Sequence, residues 1–183
     1  MTEEAGSRIA EVTGFWREAG PEKWFEKDDG FDIIFRETFL DAHFAAARRE
    51  YEEWVETAEG ALALLILLDQ FPRNCFRNTG HMYATDELAR FYANRALEKG
   101  HDISVDAELR GFFYLPFMHS EDVDDQRRCV DLCSHGSPAN VEYANDHYDI
   151  VQRFGRFPHR NTILGRDTTE EERAFLDAGG FAG

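Results

Sequence analysis

Apolar positions recur along this chain with the three- and four-residue spacing of amphipathic α-helices. Two early stripes follow that spacing: Ile9, Val12, Trp16 and Ala19, then Phe31, Phe35, Phe39 and Ala42. The run from Ala61 to Leu68 is apolar on every side, which predicts a helix in the middle of the core. Strict strand alternation is nearly absent, because Ile103-Ser104-Val105 is too short to count. The pattern predicts an all-α protein.

Start and stop signals divide this pattern into about eight helices. The first helix ends at Gly20-Pro21, and Thr57 is placed to cap the third, which runs through Leu68. The later helices are predicted after Thr85 as far as Lys99-Gly100, from Glu108 to Pro116, after Ser120, from Ala139 to Phe154, and after the capping box Thr168-Thr169-Glu170-Glu171. Neither a Gly-, Pro- or Ser-rich linker nor a clear repeat is present, so residues 1–183 are predicted to form a single helical domain.

The charge balance disfavours one class of partner. The chain carries 36 acidic and 20 basic residues, and its net charge of −16 argues against nucleic-acid binding, which depends on basic surface. The longest apolar run has eight residues, whereas a membrane span needs about 20. The acidic start Met1-Thr2-Glu3-Glu4 lacks the features of a signal peptide, so a soluble, cytoplasmic protein without a membrane partner is expected.

The cysteines are expected to be reduced core residues. There are three, an odd number with no paired spacing. Cys129 and Cys133 lie one helical turn apart, and no second Cys pair completes a structural zinc site. We therefore expect neither a structural metal nor a cofactor.

Two similar polar segments are the first candidates for chemistry. Asp69-Gln70 and Phe71-Pro72-Arg73-Asn74 follow the most apolar helix, and Phe157-Pro158-His159-Arg160-Asn161 follows the seventh. One interpretation is a pair of similar helix C-caps, in which Arg and Asn satisfy terminal carbonyls. The other interpretation is based on Asp69, whose carboxylate lies among leucines at the unfavourable end of a helix dipole. Such a carboxylate needs a nearby cation, for example Arg73.

Histidines and further polar residues add to these segments. His147 lies in the apolar arc of the seventh helix, where burial would keep it neutral, either as a core residue or in a pocket. Glu121 and Asp122 are expected in the first turn of the sixth helix, with His119 just before it and Gln126 pointing inward. The stretch from Arg153 to Arg166 holds four arginines, which would pair with those acids or with an anionic ligand.

Three of these segments resemble a known family. The stretches Leu67–Asn74, Tyr114–Asp122 with Gln126, and Arg153–Asn161 resemble the signature of the bacterial family catalogued as Domain of Unknown Function 924. The N-terminal pairs Phe15-Trp16, Trp24-Phe25 and Phe31-Asp32 fit the same family, and the resemblance extends over about residues 9–176. It implies a fold similar to the tetratricopeptide-like superfamily, an antiparallel helix array with a right-handed superhelix. It implies no activity and supplies no catalytic residues.

The leading functional hypothesis is a site between helices for a small molecule or an anionic group. The candidate ligand-binding residues are Asp69, Gln70, Arg73, Asn74, Arg77, His119, Glu121, Asp122, Gln126, His147, Arg156, His159, Arg160 and Asn161. His119 and His147 are the candidates for proton transfer, although the sequence leaves open whether the protein is an enzyme.

Three alternatives stay open. The first is a tetratricopeptide-like interaction scaffold that holds an acidic peptide along exposed arginines. The second is a metal-dependent hydrolase that uses His119, Glu121 or Asp122, His147 and His159 as ligands. The third is a polar network with a purely structural role. The small-molecule hypothesis requires the three segments to meet in one enclosed pocket.

Overall fold

The computed structural model describes residues 2–181, and these residues form α-helices and short 3-10 helices with no β-strand. The α-helices are α1 (Glu3–Ala19), α2 (Pro21–Trp24), α3 (Asp29–Ala47), α4 (Ala58–Leu65), α5 (Phe71–Cys75), α6 (Asp86–Glu98), α7 (Leu115–Met118), α8 (Val123–Gly136), α9 (Val141–Phe154) and α10 (Glu170–Asp177). A π-helix, Ile66–Gln70, joins α4 to α5. The prediction of an all-α fold is confirmed.

Helix α4 occupies the middle of the core, as its uniformly apolar sequence predicts. Every residue from Ala61 to Leu68 is at most 1% exposed. Helix α4 packs against α1 and α6, and α3 packs against the π-helix and α5 that follow it. Aromatic rings of α1 and α3 fill the space beside it, with Phe15 and Trp16 both in contact with Phe35. The largest apolar cluster therefore surrounds the helix that leads directly into Asp69.

The π-helix is a local consequence of Pro72. Proline lacks an N–H group, and its ring would clash with the carbonyl of Leu68 four residues earlier in a regular α-helix. The wider turn avoids that clash, and the N–H of Phe71 donates to the carbonyl oxygen of Ile66, five residues earlier. The helical path thus continues through Pro72 instead of ending there.

Side chains satisfy the carbonyl groups that this turn releases. His43 Nδ1 lies 2.8 Å from the carbonyl oxygen of Leu67, and Thr85 Oγ1 donates to that of Leu68 at 2.5 Å. Arg73 Nη1 donates to the carbonyl oxygen of Asp69 at 2.9 Å. Buried backbone acceptors need such partners, so three side chains hold the π-helix in place.

Several predicted helix boundaries are confirmed. The side chain of Thr57 accepts the N–H of Gly60 and caps α4. Helix α9 ends at Gly155, whose positive φ of 69° lets the chain turn towards Phe157. The capping box of α10 is present but begins at Thr169, one residue later than predicted.

Other boundary predictions are wrong for identifiable reasons. The expected fifth helix is a 3-10 helix, Ala107–Phe113, followed by α7, in which Pro116 stands in the first turn where proline is tolerated. Thr85 does not cap α6 because its hydroxyl is bonded to the π-helix. Asp122 is the N-cap of α8 and not a residue of its first turn, since Oδ1 accepts the N–H groups of Asp124 and Asp125.

The buried positions follow the sequence pattern closely. Cys129, Cys133 and Gln126 are fully buried, and His147 is 7% exposed. Within residues 2–181, no helix combines the length and the apolar character that crossing a membrane would require.

Candidate functional site

A cavity of about 400 Å³ lies where three distant stretches of the chain meet. The first stretch contributes residues of the π-helix and α5, the second contributes His119 after α7, and the third contributes residues of α9 and of the 3-10 helix Pro158–Arg160. The polar side chains that line the cavity from these stretches are Gln70, Arg73, Asn74, Arg77, His119, His147, His159 and Arg160. Segments that are far apart in sequence therefore share one cavity, as the leading hypothesis requires.

The remaining wall of the cavity is largely aromatic or aliphatic. Its side chains are Trp24, Phe25, Met82, Tyr83, Leu115, Met118, Tyr143 and Phe181, with Asn140 as a further polar residue. Phe25 and Tyr143 are 63% and 62% exposed, so the cavity opens to solvent on their side. The cavity thus has a polar wall, made by the three stretches, and an apolar wall.

The Nη groups of Arg73 are paired with two carboxylates of the protein. Its guanidinium forms a bidentate pair with Asp86, at 2.8 and 3.0 Å, and Nη1 lies 3.1 Å from Asp69 Oδ1. Burial lowers the pKa of Arg73, but the two carboxylates outweigh burial and raise the pKa above its ordinary value. The positive charge of Arg73 is therefore balanced by neighbours on the π-helix and α6.

Arg160 lies in the same wall without comparable partners. Its side chain is 8% exposed, its buried Nε has no hydrogen-bond partner among residues 2–181, and Nη1 is 3.6 Å from Asp86 Oδ2. The guanidinium carbon lies 4.6 and 4.5 Å from the ring centres of Tyr83 and Phe157. Burial, and next the charge of Arg73, lower the pKa of Arg160. A buried guanidinium with unsatisfied donors is a binding group for an anion or a polarised carbonyl.

Asp69 and His119 form a hydrogen-bonded pair at the edge of the polar wall. His119 Nδ1 lies 2.8 Å from Asp69 Oδ1, and Gln70 Nε2 donates to Asp69 Oδ2 at 2.6 Å. Asp69 is 1% exposed, and the charge of Arg73 holds the pKa of its carboxyl below the ordinary value despite burial. Because Asp69 stays ionised, it can only accept a hydrogen bond, so Nδ1 of His119 carries the hydrogen and Nε2 is left as the basic nitrogen.

Burial keeps His119 neutral near pH 7. Burial and the charge of Arg73 lower the pKa of His119 below 6.5, although Asp69 acts in the opposite direction. Nε2 of His119 makes no hydrogen bond with any residue from 2 to 181, while the ring lines the cavity. The arrangement presents an oriented, neutral imidazole to whatever occupies the cavity.

His147 and His159 lie beside the same cavity but lack a carboxylate partner. His147 Nδ1 is bonded to the carbonyl oxygen of Tyr143 at 2.8 Å, and the buried Nδ1 of His159 has no partner among the described residues. Burial lowers the pKa of His147 to about 4 and that of His159 to about 3, and the positive charge of Arg160 acts in the same direction on both rings. Both rings are therefore neutral and only weakly basic.

Asn74 and Arg77 face the cavity from α5 and the turn after it, and Asp32 of α3 holds both. Asn74 Nδ2 donates to Asp32 Oδ1 at 2.8 Å, and Arg77 Nε donates to Asp32 Oδ2 at 2.9 Å. The Nη groups of Arg77 make no hydrogen bond with residues 2–181, and its side chain is 30% exposed. Arg77 therefore retains donors at the more exposed side of the cavity.

Six predicted ligand-binding residues do not line the cavity. Asp69 lies behind it, bonded to His119, and the other five are engaged elsewhere. Glu121 pairs with Arg166 at 2.6 Å and accepts the N–H of Phe157. Arg156 and the fully buried Asn161 both donate to Glu172, while Asp122 caps α8. Gln126 donates to the carbonyl oxygens of Met118 and Ser120, both at 2.6 Å. These contacts tie the segments after α7 and α9 together and so support the cavity wall from behind.

The sequence did not single out several residues that shape the site. In the sequence, Asp86 is an acidic residue at the start of α6, where it interacts favourably with the helix dipole. Nothing in its sequence position indicates a bidentate pair with Arg73. Tyr83 and Met82 come from a short 3-10 helix that carries no motif. Trp24 could have been found from the sequence, because the pair Trp24-Phe25 is part of the resemblance to the family.

The metal-ligand set of one alternative does not assemble. Among residues 2–181, no group of three or more His, Cys, Asp or Glu side chains is arranged to hold a metal ion. Of the ligands that this alternative requires, Glu121 is paired with Arg166 and Asp122 caps a helix.

The fold and cavity define a class of helical protein whose polar site is built by three signature segments. The comparisons place the chain more closely: the model of a bacterial protein family of unknown function, DUF924, matches residues 12–180, and the chain belongs to this family. A solved structure of a protein of unknown function from Agrobacterium tumefaciens is 56% identical, with a TM-score of 0.93. The match covers 96% of this chain and 99% of that one. No curated protein matches the chain.

Proposed function

We propose that this protein binds a small, partly apolar organic anion in the cavity, with a carboxylate group against Arg160. The observation that carries the proposal is the buried Arg160 guanidinium, whose Nε has no partner among the described residues. Unsatisfied buried donors destabilise a protein unless something else satisfies them. A carboxylate matches the planar donors of arginine in both charge and geometry.

The rest of the cavity supports a ligand with an apolar body. Its volume, about 400 Å³, falls in the range of about 300–1,000 Å³ that small-molecule sites occupy. Trp24, Met118 and Tyr83 line it, so an aromatic or aliphatic group contacts side chains of matching polarity. Phe25 and Tyr143 line the cavity and are mostly exposed, so a ligand can reach the cavity from solvent on their side.

Burial of the arginines favours this function over a peptide-binding scaffold. A scaffold for an acidic peptide predicts arginines exposed along a groove. The side chains of Arg73 and Arg160 are 13% and 8% exposed, and they converge on one cavity with His119. Convergent, enclosed polar groups are typical of small-molecule sites.

The proposal can be tested with 8-anilinonaphthalene-1-sulfonate, a fluorescent aromatic anion. We expect the native protein to bind it and Arg160→Met to weaken binding by about tenfold or more, because a charge-assisted hydrogen bond contributes about 1.5–3 kcal/mol. Arg48→Met is the matched control, since Arg48 forms only an exposed pair with Glu50. Circular dichroism and urea denaturation show whether each variant is folded. Equal affinities in the Arg160 and Arg48 variants would contradict the proposal.

A further inference from the structure

We propose that the cavity is an esterase site in which His119, oriented by Asp69, activates a water molecule and Arg160 stabilises the oxyanion. This inference rests on the proposed function, because the carboxylate that Arg160 binds would be the product of the reaction. The substrate class is a small carboxylic ester with an apolar acyl group.

The base is assigned to His119 by geometry. Three histidines line the cavity, but only His119 has a carboxylate on its other ring nitrogen, at 2.8 Å from Nδ1. Asp69 is itself fixed by Gln70 and Arg73, so the imidazole has one defined tautomer and orientation. A histidine oriented in this way is the usual arrangement for general-base catalysis.

Water is assigned as the nucleophile by the composition of the wall. Among the described residues that line the cavity there is no serine, threonine, cysteine or lysine and no carboxylate. Burial raises the pKa of Tyr83, so its phenol is a poor nucleophile at neutral pH. An oriented base with no nucleophilic side chain beside it favours direct attack by water over a covalent intermediate.

A continuous polar chain connects the base to the oxyanion-binding group. It runs from His119 through Asp69, Arg73 and Asp86 to Arg160, with distances of 2.8, 3.1, 3.0 and 3.6 Å between successive members. His119, Arg73 and Arg160 line the cavity, whereas the carboxylates of Asp69 and Asp86 lie behind them. Arg160, whose Nε has no partner among the described residues, therefore lies in the same cavity wall as His119. Such fixed donors stabilise the negative oxygen of a tetrahedral intermediate.

The reaction balances with these groups alone. Nε2 of His119 takes a proton from water while the hydroxide oxygen bonds to the ester carbonyl carbon, and the carbonyl oxygen becomes an oxyanion beside Arg160. The carbon–oxygen bond to the alcohol then breaks, the carbonyl re-forms, and protonated His119 gives its proton to the leaving alkoxide. The products are an alcohol and a carboxylic acid, which ionises to the anion that Arg160 binds.

The experiment measures hydrolysis of p-nitrophenyl esters from acetate to octanoate by native protein, His119→Gln and His135→Gln. We expect the native protein to hydrolyse at least one ester and His119→Gln to lose about 100-fold or more of kcat/KM. His135→Gln, which changes an exposed histidine of α8, should keep the native rate. His119→Gln should still bind 8-anilinonaphthalene-1-sulfonate, which separates loss of catalysis from failure of the binding site.

Two further readouts test the role of water. In water enriched in oxygen-18 the label should enter the acid product, and mass spectrometry should detect no acyl-protein. The rate should fall with decreasing pH only below the ordinary pKa of histidine, because His119 must be neutral to act as a base and burial lowers its pKa. Asp69, Arg73, Asp86 and His147 are the titratable or charged groups that act on His119. Detection of an acyl-protein, or the absence of His119-dependent hydrolysis across the ester series, would overturn the esterase proposal. Failure of the native protein to bind 8-anilinonaphthalene-1-sulfonate would instead overturn the binding proposal.

Discussion

Two arginines in the same cavity wall differ in how their charge is balanced. Arg73 contacts two carboxylates, Asp69 and Asp86, at 3.1 and 2.8 Å. Arg160 contacts one carboxylate, Asp86, at the longer distance of 3.6 Å. Both side chains are buried, so the protein bears the full cost of desolvating each cation. The structure supplies close, hydrogen-bonded carboxylates for Arg73, whereas Arg160 has a 3.6 Å contact with Asp86 and lies beside two aromatic rings. Replacing each arginine is therefore predicted to affect the stability of the protein differently.

Arg73→Met is expected to lower the free energy of unfolding by about 3–5 kcal/mol, because it leaves buried carboxylates without their cation. Arg160→Met is expected to change it by less than about 1 kcal/mol or to increase it, because an uncompensated buried charge is removed. Urea denaturation of the two variants at pH 7 measures both effects. A large loss in Arg160→Met would assign Arg160 to the structural network and count against a ligand site.

At the scale of elements, the π-helix is the feature that positions the polar wall. The sequence predicted the end of a helix at Phe71-Pro72, because proline normally stops a helix. The structure continues the helix through a wider turn, since His43 and Thr85 satisfy the released carbonyls. Neither residue is close to Pro72 in sequence, so no local pattern could have revealed this outcome. It depends on the packing of α3 and of the segment before α6.

The coupling between His43 and Pro72 is testable by a double-mutant cycle. His43→Phe keeps a ring in the core but leaves the carbonyl of Leu67 without a donor, so we expect a loss of about 1–3 kcal/mol. Pro72→Ala supplies an N–H and removes the clash with Leu68, which lets Phe71 donate to Leu67 in a regular α-helix. The cost of His43→Phe should therefore be smaller in the Pro72→Ala background.

Thr13→Val provides the matched control for that cycle. Thr13 is a buried residue of α1 whose hydroxyl donates to the carbonyl of Ile9, and it does not contact the π-helix through this bond. Its cost should be the same with proline or alanine at position 72. If the cost of His43→Phe is equally unaffected by Pro72→Ala, the proposed origin of the π-helix is wrong.

At the scale of the whole molecule, several neutral histidines make folding sensitive to mild acid. Burial lowers the pKa of His43 and His147 to about 4 and that of His159 to about 3, below the value of about 6.5 in the unfolded chain. Between those values the unfolded chain binds more protons, so the free energy of unfolding falls as the pH decreases. The carboxyls with lowered pKa, such as Asp69, weaken the fold only below about pH 4.

The expected result is a stability that is highest above about pH 6.5 and declines from there to about pH 4. Each fully buried histidine contributes a slope of up to about 1.4 kcal/mol per pH unit. Urea denaturation at pH 7.5, 6.0 and 5.0 measures this decline, and His147→Phe should reduce it. A stability that stays constant from pH 7.5 to 5.0 would show that these rings are not buried as neutral groups.

The sequence predicted the fold class, the central helix and the segments that form the site more fully than it predicted the site itself. Periodicity identifies a buried helix such as α4, and the motifs identify Arg73, His119 and Arg160. Which polar residues face the cavity depends on tertiary pairing, and a charge pattern does not contain that information. Arg156 and Arg160 show the limit, because they lie four residues apart in one motif and only Arg160 lines the cavity.

The central claim is that one cavity, formed by three distant segments, binds an organic anion at Arg160. The most direct measurement is a crystal structure of the native protein with 4-iodobenzoate, whose iodine is located by its anomalous scattering. The account predicts an iodine peak at the apolar wall near Trp24 and Tyr83, with the carboxylate within hydrogen-bond distance of Arg160, and no such peak in Arg160→Met crystals. An empty cavity at saturating 4-iodobenzoate, or a carboxylate bound away from Arg160, would contradict the account.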